Sequence, residues 1–296
     1  MIFVDGQPIV STFSIVACDL EAGDWGVAVA SKFLAAGAVV PWARIGAGSV
    51  ATQAHANTAY GPDGLAAMQD GLNATEAVNR IIKDDPERDH RQVGLVDKNG
   101  NSAAFTGGSC LDWAGHKTGP CYSCQGNVLP GAATLDAMEN SFFASTGDLS
   151  DRLIEALANG YAAGGDRRGL ESAAVYVVRK NGGYGGYNDV VVDLRVDDAK
   201  APIDELKRLM LIHHLYFGKS GPEEKLALDG EILKSIEQIM IQERYLNDHP
   251  DDIWQPEPLA VLKAFIGTEN IEERVDLKAR TIDKPAVDHL QRKFSL

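Results

Sequence analysis

Apolar and polar positions alternate with period two twice before residue 35. Phe13–Cys18 and Trp25–Phe33 both read as strands, and Glu21–Asp24, with Gly23 inside it, reads as the turn that folds them into a hairpin. A third strand is expected over Gly48–Ala56, rich in small residues and therefore closely packed. The period then changes. A helix is expected from near Pro62, and another after Asn73 or Thr75 as N-cap, with Ala77, Val78, Ile81 and Ile82 on one face. Arg91–Gly107 returns to strand alternation and turns at Lys98–Asn101, where Asn99-Gly100 tolerates positive φ. A glycine-rich stretch through Cys121–Gly131 reads as loop. Two more helices, Ala133–Phe143 and Leu149–Ala162, and two more strands, Ala173–Val178 and Asp189–Val196, complete the pattern.

Hairpin turns, not helical crossovers, join these strands, which argues against a doubly wound parallel sheet. Two antiparallel sheets packed face to face, with helices over both outer faces, would bury every apolar face. The expected class is α+β. From about residue 200 the composition shifts to helices separated by polar segments, with no convincing strand. The expected domains are therefore 1–200 and a small all-α domain over 201–296.

With 296 residues and 45% hydrophobic content, the chain can build a substantial core. A net charge of −14 argues against nucleic acid and anionic membrane surfaces as partners. The start, MIFVDGQPIV, makes a poor signal peptide, and no apolar stretch approaches bilayer-spanning length, so a cytoplasmic location is expected. Four cysteines are too few for a disulfide scaffold; Cys121-Tyr-Ser-Cys124 has C-x-x-C spacing, and His116 and Cys110 are candidates for the second ligand pair a structural zinc site wants, but Gly115 and Gly119-Pro120 read as an ordinary loop, so reduced, partly buried thiols are expected. No metal and no cofactor are expected.

The first strand opens on the hydroxyl pair Ser11-Thr12 and the second ends near Lys32. Such residues suit a nucleophile with a cationic partner, and equally a β-branched strand residue and a surface cation whose stem lies along apolar surface. His55, alternating with alanines, suits packing better than general base chemistry. Asp166 with Arg168 or Arg167 in the Gly164–Gly169 turn is either a substrate clamp or an internal pair. Asn127 is either a pocket group or a turn residue. Asp189, Asp193, Asp197 and Asp198 read as a solvated strand edge.

The order of TFSIVACD, GVAVASKFLAAGAVVPWA, ATQAHANTAYGPDGL, HRQVGLVDKNGNSAAFTG, CLDWAGH, QGNVL, AGGDRRGLESAAV and YNDVVVDLRVDD resembles the DUF1028 family, grouped with the N-terminal-nucleophile (Ntn) hydrolases. The resemblance covers about residues 12–200. Beyond it, IHHLYFG, LALDGEI and AFIGTENIEER resemble the peptidoglycan-binding-like domain that often follows this family. The resemblance implies a four-layer αββα sandwich. It also implies Thr12 as nucleophile, with its own α-amine as general base. Lys32 becomes a charged catalytic partner, able to reach Thr12 from a neighbouring strand end. The ATQAHAN strand and Asn57 become the oxyanion site, with Gln53, His55, Asn127, Asp166 and Arg168 as substrate-binding candidates. Thr12 needs its amine exposed, so Met1–Ser11 must be removed for that chemistry. The expected function is hydrolysis of a small amide or peptide-like substrate by a homo-oligomer. The alternative is a small-molecule-binding protein that keeps the pocket with an unprocessed N-terminus.

Overall fold

The turn at Leu20–Gly23 sets the register of the first hairpin. The computed structural model describes residues 3–4, 7–8 and 12–294, apart from Asp112 and Arg167. Short strands β1 (Phe3–Val4) and β2 (Gln7–Pro8) pair with each other, ahead of β3 (Thr12–Asp19) and β4 (Asp24–Ser31). Gly23 takes φ +74° in the turn, a left-handed backbone that glycine adopts without a Cβ clash. The antiparallel pairing that follows sets Thr12 opposite Ser31.

The chain divides into two compact units, residues 1–208 and 209–296. In the first, β5 (Pro41–Arg44), β6 (Gly48–Ala54), β7 (Arg91–Asp97) and β8 (Ser102–Thr106) form an antiparallel sheet in that order. Strands β9 (Trp113–Gly119), β10 (Tyr122–Leu129), β11 (Ser172–Arg179) and β12 (Val190–Val196) join the first hairpin in a six-stranded sheet ordered β12-β11-β4-β3-β10-β9, also antiparallel. Strand β3 lies against β6, β4 against β5, and β10 against β7. Helices α1 (Tyr60–Gln69) and α2 (Ala74–Ile82) pack on the smaller sheet, and α3 (Ala133–Ala144) and α4 (Leu149–Ala162) on the larger. Asn73 caps α2 through a reciprocal box with Glu76.

Both faces of β3 are buried, which explains its near-continuous apolar run. Ser14, Val16 and Cys18 face the other sheet, where Val16 and Cys18 join a core with Ala51 and Val96 and Ser14 meets Gln53. Phe13, Ile15 and Ala17, one step out of phase, face the opposite way. Gly94 of β7 leaves room for a side chain from the larger sheet: a Cβ there would lie 2.0 Å from Gln125 Oε1 and 2.8 Å from Ser123 Oγ. The Gln125 amide is buried and bonded to Ser14 and Ser123, so it has nowhere to move. Gly94→Ala is expected to lose about 1–3 kcal/mol by overpacking, read as a lower urea midpoint at unchanged m-value.

Two departures from the sequence reading stand out. The stretch read as a loop before α3 is the β9–β10 hairpin, and β5 was not foreseen. Glycine and polar residues occupy the faces of β9 and β10, so the apolar alternation that marks a strand is missing. The second unit is also not all-α. Its sheet, β13 (Lys225–Ala227), β14 (Val275–Asp276) and β15 (Thr281–Asp283), runs in the order β13-β15-β14. Strands of two or three residues are too short to show period-two alternation.

The division between units falls within α5 (Pro202–Phe217). In the second unit α6 (Gly230–Gln242), α7 (Pro256–Thr268) and α8 (Lys284–Phe294) supply Ile239, Met240, Leu262, Phe265 and Leu290 to a core of its own. Buried Arg274 donates to the carbonyls of His214 and Leu215 and to Asp283, tying the end of α5 to β15. Among the described residues, no helix is long and apolar enough to cross a membrane.

Candidate functional site

A buried polar seam runs between the two sheets of the first unit at the Thr12 end of β3. Thr12, Ser14, Gln53, Gln92, Ser123, Gln125 and Asn127 are each at most 1% exposed, so their hydrogen bonds must come from protein groups around them. Ser14 Oγ donates to Gln53 Oε1 at 2.6 Å, and Gln53 Nε2 donates to Gln92 Oε1 at 2.8 Å. Gln92 Nε2 reaches the carbonyls of Gly115 and Gly126 at 3.0 and 2.9 Å, and Thr106 Oγ1 at 2.9 Å. Gln125 Nε2 donates to Ser14 Oγ at 2.7 Å. Asn127 Nδ2 donates to Gln92 Oε1 at 3.1 Å. Gln53 and Asn127 also direct long amide contacts, 3.4 and 3.5 Å, at the Thr12 carbonyl. The network continues to His116 through Thr106, where burial pushes the imidazole pKa down.

Pairing register places Ser172, Ser31, Thr12 and Asn127 side by side across four strands. Directly opposed residues share a face, and for Thr12 that face looks toward the second sheet, as it does for Ser14. The Thr12 hydroxyl donates to Ser31 Oγ at 3.0 Å. Ser31, rather than Lys32, is therefore the side chain that touches it. Lys32 follows the last residue of β4; its ammonium lies 3.5 Å from Glu171 Oε2 and its N–H donates to Asp166 Oδ2 at 3.3 Å. Asp166 also receives the Arg168 backbone N–H at 2.8 Å and its guanidinium at 3.2 Å. This is an internal pair that closes the turn beside the β4 end.

His55 and Asn57 follow β6 and belong to a second network. Asn57 Nδ2 donates to Asp85 Oδ2 at 3.2 Å, while its Oδ1 accepts the Ala59 N–H at the start of α1. Asp85 Oδ2 also accepts from Tyr60 Oη at 2.8 Å and from Arg91 Nε at 3.0 Å. Arg91 in turn holds the His55 carbonyl at 2.7 Å. The His55 and His90 rings meet edge to face at 6.5 Å. Together with Ala54, Ser109, Cys110 and Asn127 they line a cavity of about 50 Å³. Burial pushes the Cys110 thiol up to about 11.

Two strained residues flank this cavity. Ala54 has φ +67° and Val128 has φ +57°, the second a real outlier for a β-branched side chain. At Val128 the β9–β10 register shifts between Gly126 and Leu129, and the Val128 N–H turns to the Leu111 carbonyl. A bulge of this kind re-aims the adjacent side chain, here Asn127.

The structure thus gathers Thr12, Gln53 and Asn127 into one network and sets Lys32, Asp166 and Arg168 at the adjoining strand end. It commits Asn57 to Asp85 and puts His55 on the cavity wall. Sequence reasoning missed Ser31, Ser14, Gln92 and Gln125. Ser31 was within reach of it, because closing the hairpin around Gly23 sets Ser31 opposite Thr12. The glutamines stand in otherwise apolar strands, and such a residue on a buried face signals a partner across the interface.

A sequence model of the family described as "Family of unknown function (DUF1028)" matches residues 12–206, starting at Thr12 itself. The chain is also similar to a Silicibacter pomeroyi protein of known crystal structure, assigned to the same family. The two share 33% identity with a TM-score of 0.63, over 72% of this chain and 91% of that one. No curated protein matches the chain. With the match extending over most of the first unit and beginning at the buried hydroxyl of the seam, the chain belongs to the DUF1028 family.

Proposed function

We propose that this chain is an Ntn-type amide hydrolase in which Thr12 attacks a small amide or peptide-like substrate once its α-amine is free. The observation that carries the reading is the placement of the Thr12 hydroxyl. It sits at the end of a strand, between two facing antiparallel sheets, against Ser31 Oγ and within a network of side-chain amides. The layers α1–α2, two sheets and α3–α4 fit the αββα sandwich of that superfamily. An α-amine has a pKa of about 7.7–8 and is a competent base near neutral pH, whereas a lysine ammonium at about 10.4 stays charged. The amine takes the hydroxyl proton, Thr12 Oγ1 forms an ester with the acyl group, and the protonated amine returns the proton to the leaving nitrogen. Water then releases the acid.

Ser31 positions the nucleophile. Lys32 contributes charge from the next position, with part of it neutralised by Glu171. Lys32→Met is expected to leave the fold intact, because an exposed ion pair is worth about 0–1 kcal/mol. It should lower the hydrolytic rate much less than loss of Thr12. The cavity lined by His55, His90 and Asn127 is the place for the acyl group.

One observation favours the second reading, a binding protein without catalysis. Thr12 is fully buried, so its hydroxyl is not open to a substrate in this structure. The N-terminal residue of protein purified without an N-terminal tag separates the two readings. Thr12 supports the hydrolase, and Met1 supports the binding protein. Assembly into homo-oligomers is part of the same proposal.

A further inference from the structure

The C-x-x-C spacing pairs Cys121 with Cys124, yet the fold separates those two and sets Cys121 beside Cys18. Cys124 stands opposite Ile15, on the face of β3 turned away from the second sheet. Cys18 lies on the other face, in the core between the sheets, and Cys121 packs against that same core. Continuing the β3–β10 register beyond Ala17 and Tyr122 makes Cys18 and Cys121 cross-strand neighbours, and the Cys18 N–H donates to the Cys121 carbonyl at 3.0 Å. Cys121 takes φ +68° in the turn that leads into β10, and a cross-strand disulfide needs its Cα atoms about 4.4–6.8 Å apart. Both sulfurs lie over Gly100: a Cβ there would be 2.7 Å from Cys121 Sγ and 3.7 Å from Cys18 Sγ.

We propose that Cys18 and Cys121 are an oxidation site that forms a cross-strand disulfide with a peroxide as oxidant. All four cysteines are thiols in the structure. Cys18 is 3% exposed, whereas Cys121 is only partly buried, so the oxidant meets Cys121 first. Burial, followed by the neighbouring Cys121, Asp19 and Asp97, raises the Cys18 thiol and keeps it protonated. The Cys121 thiolate attacks one peroxide oxygen. The O–O bond breaks, the departing hydroxide takes up a proton as water, and Cys121 becomes a sulfenic acid. The Cys18 sulfur then attacks the Cys121 sulfur. The S–O bond breaks, a second water leaves with the Cys18 proton, and the disulfide forms. Two thiols lose two electrons and peroxide is reduced to two waters.

The bond staples β3 to β10, the strands that carry Thr12 and Asn127 at their other ends. It closes a loop of about one hundred residues, in the range where cross-linking restricts the unfolded chain most.

The full chain is treated with hydrogen peroxide, its remaining thiols are blocked, and the digest is mapped by mass spectrometry. The expected result is a peptide pair joined through Cys18 and Cys121 and lighter by two hydrogens. The unfolding midpoint is expected to rise by roughly 5–10 °C and to return on adding reductant. Cys124→Ser should leave the link and the rise in place. Cys18→Ser should remove both and leave a blockable sulfenic acid on Cys121. A link between Cys121 and Cys124 would overturn the proposal. So would sulfenic or sulfinic acid on Cys121 or Cys110 in the intact wild-type chain with no Cys18 cross-link, a result that does not depend on any variant folding.

Discussion

A chain that begins at Thr12 is expected to hydrolyse small amides or acylated amino acids, and its Thr12→Ala counterpart is not. The variant loses the hydroxyl that forms the acyl-enzyme in the proposed mechanism, so the expected drop is at least about a thousandfold. Serine at the same position keeps a hydroxyl and an α-amine but loses the methyl group that fixes χ1 on a strand. It should retain a reduced rate. The full-length chain is expected to be inactive as long as residue 12 is acylated by residue 11, because an amide nitrogen is no base. With the amine free, the rate should rise with pH through about 7–8 as the amine deprotonates. Ser31→Ala should keep the pH profile and lower the rate, since it removes the hydroxyl's partner at 3.0 Å but leaves the base. Equal rates for the Thr12 chain and its alanine variant would remove the nucleophile and leave Thr12 as a buried strand residue.

The parts of this site that the sequence discloses are those fixed by local pattern. The hairpin around Gly23 is legible from alternation and turn chemistry, and so is the one around Gly100. The Asn73 cap is legible from Asn-x-x-Glu. Thr12, Gln53 and Asn127 follow from the family resemblance, and they share hydrogen bonds with one another or with Gln92.

Long-range partners were not legible. Lys32 and Asn57 both read as groups free to act on a substrate, and in the fold each faces a carboxylate, Glu171 and Asp85. Nothing local distinguishes a lysine aimed at a pocket from one aimed at a glutamate just ahead of a neighbouring strand. Strands β9 and β10 were hidden for a related reason. Their buried faces meet polar groups, so Gln125 and Asn127 stand where an apolar residue would have announced a strand. The same polar substitution that concealed the element marks the site. The pairing of Cys121 with Cys18 instead of Cys124 also depends on register, which sequence spacing does not encode.

The largest stability effect is expected at Asp85, outside the proposed chemistry. Its side chain is 8% exposed and accepts from Arg91, Tyr60, Asn57 and the Glu87 N–H at 2.8–3.2 Å. Asp85→Ala leaves a guanidinium that is 11% exposed with Glu87, itself 57% exposed, as its one charged partner among the described residues. Removing one member of a buried pair costs about 3–5 kcal/mol, and the remaining Glu87 contact reduces that to about 2–4 kcal/mol here. Burial alone pushes the Asp85 carboxyl up, but the bonds from Arg91, Tyr60, Glu87 and Asn57 together more than offset it and hold the group well below the usual carboxylate range. A depressed folded-state pKa contributes stability that is fully present above the unfolded value of about 3.9 and is lost as pH falls toward the folded one. Wild-type stability should therefore fall more steeply than that of Asp85→Asn below about pH 4, and the two curves should run parallel above about pH 5. A double variant, Asp85→Leu with Arg91→Met, should cost less than the sum of the single changes, because neither charge is left without the other. Urea unfolding across pH reads all three outcomes. Additive losses, or a loss below about 1 kcal/mol for Asp85→Ala, would show that the network does not anchor this wall of the cavity. Because Arg91 holds the His55 carbonyl, the same variant should loosen the cavity while leaving the Thr12–Ser31 contact on the other sheet intact.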